Sequence, residues 1–126
     1  MSLNILVVDD SAVARSMIIR VLKMTQLPLG DVWQASNGLE GLAQLKEHWV
    51  DLVLVDVNMP VMNGEEMVNQ IRANPLWQDL PIIVVSTEGS QTRIERLQQQ
   101  RATFIHKPFT PEIVQQTISQ MTGVLQ

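Results

Sequence analysis

The sequence contains no cysteine. That excludes disulfides, thiolate metal sites and thiol nucleophiles, and it suits a reducing compartment. It also lacks a basic block: the 9 Lys and Arg are scattered, the net charge is -4 and the pI is near 5.0. This balance argues against a nucleic-acid backbone as partner. No apolar stretch approaches the roughly 20 residues that span a bilayer, and Met1-Ser2-Leu3-Asn4 carries no basic signal-peptide region. A cytoplasmic protein with no membrane or nucleic-acid partner is expected. Linkers, low-complexity tracts and a second domain are absent as well. At 126 residues, 45% hydrophobic and 17% charged, the composition fits a single domain over residues 1–126.

What is present is an uninterrupted alternation of apolar runs and helical patterns. Strands are expected at residues 4–8, 32–35, 52–55, 82–85 and 103–106. Helix one follows Asp10 with Ser11 as N-cap, and its apolar face carries Val13, Met17, Ile18, Val21 and Leu22. Leu27-Pro28-Leu29-Gly30 stops it. A second helix carries Leu39, Leu42, Leu45 and Trp49, with His48 at its end. A third spans residues 64–73, with Met67, Val68 and Ile71 inward, and ends before Asn74-Pro75. A fourth covers residues 91–100, and a fifth starts near Thr110-Pro111, with proline in the favoured first turn. Five strand–helix units predict a doubly wound α/β sandwich around a parallel sheet, since the middle strands are continuously apolar.

In such a sheet ligands sit beyond the carboxyl ends of the strands. Four runs end there in polar residues: Ile5-Leu6-Val7-Val8 in Asp9-Asp10, Leu52-Val53-Leu54-Val55 in Asp56, Ile82-Ile83-Val84-Val85 in Ser86-Thr87, and Phe104-Ile105-His106 in Lys107-Pro108. Asp9, Asp10 and Asp56 offer only oxygens, the donors that a hard cation such as Mg2+ prefers. A carboxylate such as Asp56 is a nucleophile able to take a phosphoryl group as a mixed anhydride. Lys107 would neutralise the transferred phosphoryl oxygens, and Ser86 would donate a hydrogen bond to one of them. Each element alone has a plainer reading. Paired acids suit a helix N-terminus, Lys107-Pro108 a solvated turn, Ser86-Thr87 a helix cap, and Met59, Met62 and Met67 packing. His106 reads as a strand or surface residue. The ordered set of four is what points to phosphoryl chemistry.

Asp9-Asp10, the block Asp56-x-x-Met59-Pro60-x-Met62-Asn63-Gly64, Ser86 and Lys107-Pro108-Phe109 together resemble the receiver domain of two-component response regulators, over essentially the whole chain. The resemblance implies a five-stranded sheet of order 2-1-3-4-5, as in chemotaxis receivers. It implies Asp56 as phospho-acceptor, fed by a sensor histidine kinase or a small acyl phosphate. Asp10, Asp56 and the backbone carbonyl of Asn58 would hold Mg2+, with Asp9 reaching it through water. Ser86 and Phe104 match the switch pair, and Asn58 and Glu88 occupy positions that tune dephosphorylation. The output face, for a downstream protein target, would be helix four, strand five and helix five.

There are departures from the family pattern. Gln100-Arg101-Ala102 replaces the Gly-Ala pair usual before strand five, so helix four must close without a left-handed glycine. Thr87 stands where a small residue is common, crowding access to the phosphoryl group. Ala102, Thr103, Gln115 and Gln116 lack the charges of regulators that dimerise through the output face, so a monomer is expected. The end of the chain just after helix five suggests a stand-alone chemotaxis or phosphorelay protein. A receiver excised from a larger regulator or hybrid kinase would look the same. A haloacid-dehalogenase-type phosphohydrolase would want an Asp where Asn58 stands. A third alternative is a docking module that is never phosphorylated.

Overall fold

The computed structural model describes residues 2–125. Five strands, β1 (Leu3–Val8), β2 (Leu29–Ala35), β3 (Leu52–Val55), β4 (Ile82–Ser86) and β5 (Thr103–His106), pair in parallel in the order β2-β1-β3-β4-β5. Five helices, α1 (Ala12–Lys23), α2 (Gly38–Glu47), α3 (Gly64–Ala73), α4 (Gln91–Gln99) and α5 (Pro111–Thr122), cover both faces. Alternate strand side chains supply the two cores. Ile5, Val7, Leu52 and Leu54 meet Ile18 and Leu22 of α1 and Val114 and Ile118 of α5. Leu6, Val8, Val53 and Val55 meet Leu45 of α2, Met67, Val68 and Ile71 of α3, and Leu97 of α4. The strand order expected from the family resemblance is the one observed.

The bounds of β3, α3 and β5 fall where the sequence pattern puts them. Asn63 and Glu66 form a reciprocal capping box that starts α3; Ser11 caps α1 as expected, and Thr110 caps α5, with Pro111 in its first turn. Other elements depart from the expectation. β2 begins at Leu29, so Leu29-Gly30-Asp31 is strand and not the stop before one. The cause is a register irregularity: Leu3 pairs with Leu29 but Ile5 with Val32, which puts an extra residue into β2. The side-chain oxygen of Asn4 accepts the Asp31 N–H at 2.9 Å across this step. α1 turns Ile18 and Leu22 inward and leaves Val13 and Met17 exposed. α2 approaches the sheet through Gly38, Gly41 and Leu45. A Cβ on Gly41 would press on Met67 and Val8, so the glycine face goes inward and Leu39 faces out. Trp49 lies beyond α2, exposed, with its indole N–H donated to Asp51 at 3.0 Å. His48 is the C-cap residue of α2, and its ring stacks on Trp33 at 4.3 Å.

α4 ends one residue earlier than expected, and without glycine. Arg101 takes the left-handed conformation (φ 61). The N–H groups of Arg101 and Ala102 then reach back to the carbonyls of Gln98 and Leu97 at 2.9 and 3.1 Å. This is the pairing of a glycine-terminated helix with an arginine in its place. Arg72 of α3 braces that end. Its guanidinium donates to the carbonyls of Trp77, Gln78, Leu80, Gln100 and Arg101, joining the end of α4 to a 3-10 turn at Pro75–Trp77. Replacing Arg72 with methionine keeps the apolar stem and removes the donor from these carbonyls, of which Trp77 alone keeps a backbone partner, the Leu80 N–H. The expected cost is about 3 kcal/mol, read as a lowered urea midpoint at unchanged slope.

Candidate functional site

β1 and β3 are neighbours whose last residues, Val8 and Val55, stand in register. Each strand therefore delivers its next residue, Asp9 and Asp56, to the same edge of the sheet. Backbone bonds continue the ladder past the strand ends: Asp56 N–H donates to the Val8 carbonyl at 3.0 Å, and Asp9 N–H to the Ala35 carbonyl at 3.1 Å. Asp9, Asp10 and Asp56 each place a carboxylate oxygen within 4.8 Å of the others. An all-oxygen donor set of this kind fits a hard divalent cation. Asp9 is buried, Asp56 half-buried and Asp10 exposed.

From β5, Lys107 reaches Asp9 at 3.4 Å. Asp9 also accepts the Ser11 N–H at 2.9 Å, while Arg15 donates to the Asp9 backbone carbonyl at 2.6 Å. Arg15 was not singled out in the sequence, because a lone arginine on a helix gives no sign that it will brace a strand end. Ser86 is buried, and its hydroxyl accepts the Glu88 N–H at 3.2 Å. Thr87 is exposed. With Lys107, Pro108, Phe109 and residues of α1 it lines an apolar cleft of about 330 Å³ beside the carboxylates. Phe104 is half-buried and tilts against His106 at 4.5 Å. Asn58 is exposed on the loop after β3.

That loop is held under strain. Val61 has φ 68, a conformation rare for a β-branched residue, and Met62 N–H closes a tight turn onto the Pro60 carbonyl at 2.7 Å. Gly64 then passes so close that any Cβ would collide with the Asp56 backbone carbonyl. Only glycine lets α3 start directly against the strand end that bears Asp56.

Burial raises the pKa of Asp56, and the Asp9 charge adds to this; Lys107 and hydrogen bonds from Ser86 and the Val57 N–H oppose it. The carboxylate is thus poised at a cost. A nearby cation would remove that cost.

With fold and site established, the class of protein follows. The chain matches the profile of the response regulator receiver domain family over residues 5–119, and it belongs to that family. It is 38% identical to a "Chemotaxis protein CheY homolog" of Campylobacter jejuni, over 96% of this chain and 93% of the relative. Among solved structures it resembles Vibrio cholerae chemotaxis protein CheY4, with a TM-score of 0.84, 32% identity, and 96% and 99% of the two chains covered. It also resembles the CheX-CheY-BeF3-Mg complex of Borrelia burgdorferi, with a TM-score of 0.84, 25% identity, and 94% and 87% covered. The chain is a receiver domain of the CheY type, in the class of two-component signalling proteins.

The raised pKa of Asp56 has a consequence for stability. A group that holds its proton more tightly when folded makes stability fall as pH rises from the unfolded pKa through the folded one. Asp56→Asn removes this penalty. The variant is expected to unfold at higher temperature than the parent at pH 7 without divalent cations, with the gap closing as the pH is lowered below the unfolded carboxylate pKa. Paired melting curves across pH check this.

Proposed function

We propose that the chain is a phosphorylatable signalling switch that takes a phosphoryl group onto Asp56 from a sensor histidine kinase. The observation that carries this reading is the meeting of three carboxylates and one ammonium at a single sheet edge. A carboxylate oxygen of Asp56 attacks phosphorus. The bond from phosphorus to the donor, a phosphohistidine nitrogen or an acyl oxygen, breaks, and its electron pair leaves with the donor. Lys107 sits where it can turn from Asp9 to a phosphoryl oxygen, and Ser86 donates its hydroxyl to another. Asp9, Asp10, Asp56 and the backbone carbonyl of Asn58 would hold Mg2+, which when bound neutralises charge gathering on the phosphoryl oxygens.

The phosphoryl group draws the Ser86 hydroxyl inward, its O–H turning from Asp56 to a phosphoryl oxygen. Phe104 on β5 then follows into the space that is vacated, and the face of α4, β5 and α5 changes shape for a protein target. This is a local hydrogen-bond change that biases a two-state surface. Asn58 and Glu88 set a short phosphoryl lifetime, and Thr87 narrows access. The protein works as a monomer in the cytoplasm, in chemotaxis or a phosphorelay. Beyond the phosphoryl steps on its own Asp56 it has no enzymatic role. Similarity to CheY-type relatives and to a CheY neighbour crystallised with CheX, BeF3 and Mg supports the reading.

Intact mass after incubation with acetyl phosphate tests it. A single Mg2+-dependent phosphoryl adduct is expected on the parent chain, absent from Asp56→Asn and decaying well within an hour. No adduct under conditions that label another receiver, or a lifetime of hours, contradicts it.

A further inference from the structure

One guanidinium joins the first turn of α3 to the loop after β4, on either side of the carboxylate edge. Glu65 lies in the first turn of α3, next to the Gly64 that is jammed against Asp56. Glu88 lies on the loop after β4, its N–H held by Ser86. Arg93 of α4 reaches both, with Nε 3.4 Å from Glu65 and Nη1 3.6 Å from Glu88. Arg96 completes a chain of four charges by a forked contact to Glu65 at 2.6 and 3.0 Å. Arg93, Glu65 and Glu88 keep only 22%, 17% and 15% side-chain exposure, so solvent screens them far less than a surface pair. The second Glu88 oxygen accepts the Ser90 N–H at 3.0 Å, which keeps the carboxylate on the loop whatever Arg93 does.

Removing Arg93 would leave Glu88 as an uncompensated negative charge beside a site that already holds three carboxylates and must admit an anionic donor. Arg96 is committed to Glu65 and does not reach Glu88 at ion-pair distance. Resting on the phosphoryl-acceptor reading above, we propose that Arg93 is a positioning residue for phosphoryl transfer: it ties the loop after β4 to the first turn of α3 and neutralises Glu88, so that an anionic phosphoryl donor can approach. Its action runs through Glu88 and not through general support of α4.

The test measures the rate of adduct formation from acetyl phosphate at low ionic strength with saturating Mg2+, on the parent, Arg93→Ala, Arg93→Lys, Glu88→Gln and the double variant. Thermal melts confirm that each is folded. Arg93→Ala is expected to slow the reaction about fivefold. Arg93→Lys should recover most of the rate, and the deficit should fade as salt rises. In the Glu88→Gln background, Arg93→Ala should have no further effect. Equal rates for the parent and Arg93→Ala overturn the inference and leave the phosphoryl reading intact. A deficit that persists in the Glu88→Gln background, or ignores salt, overturns it in favour of a structural role. No adduct on the parent chain overturns the phosphoryl reading and this inference together.

Discussion

Carboxylate crowding is the constraint around which the rest of the structure is arranged. Parallel pairing of β1 with β3 in register forces Asp9 and Asp56 to leave the sheet side by side, and Asp10 follows from the same turn. Unlike a surface cluster, this one cannot spread apart, because each strand end is fixed by backbone bonds to its neighbour. Asp9 is buried and tied to Lys107, and burial pushes the Asp56 carboxyl toward its protonated form. Mutual repulsion of fixed carboxylates makes a group useful for chemistry. It is costly at rest and relieved by a cation or a phosphoryl ligand.

The surroundings keep that crowding in place. Gly64 lets α3 begin against Asp56, and the tight turn at Val61 folds the loop back so that it can do so. Strain at such a turn, of order 1–3 kcal/mol, persists only where neighbouring packing over-determines the backbone. Here α3 supplies it, with Met67, Val68 and Ile71 fully buried. On the far side of the sheet edge, the Ser86 hydroxyl holds the Glu88 N–H, and Arg93 ties that loop to α3. The loop after β4 and the start of α3 are thereby made one wall.

Much of this was legible in the sequence, for reasons that differ by element. β3 is a short, wholly apolar run ending in Asp56, and α3 is bounded by Asn63-Gly64 and Asn74-Pro75, so their limits were marked at both ends. The residues at the sheet edge were legible because each terminates an apolar run. Edge and surface features were less so. The extra residue in β2 arises from pairing with β1, which periodicity within β2 does not reveal. The outward turn of Leu39 comes from glycines that carry no hydrophobic signal yet let α2 approach the core. Arg101 replaces a left-handed glycine because Arg72 and the backbone hold the end of α4 from outside, which is a tertiary effect. Arg15 and Arg93 likewise became visible only in three dimensions.

The account stands on the carboxylate cluster acting as a divalent-cation site. The most direct test is the melting temperature of the parent chain and of Asp10→Asn as MgCl2 is raised at constant ionic strength. A ligand that binds only the folded state stabilises it by about 2.7 kcal/mol at a hundred times its dissociation constant. The account predicts a steady rise in the parent and little or none in Asp10→Asn. A parent curve that stays flat through tens of millimolar Mg2+ would contradict it.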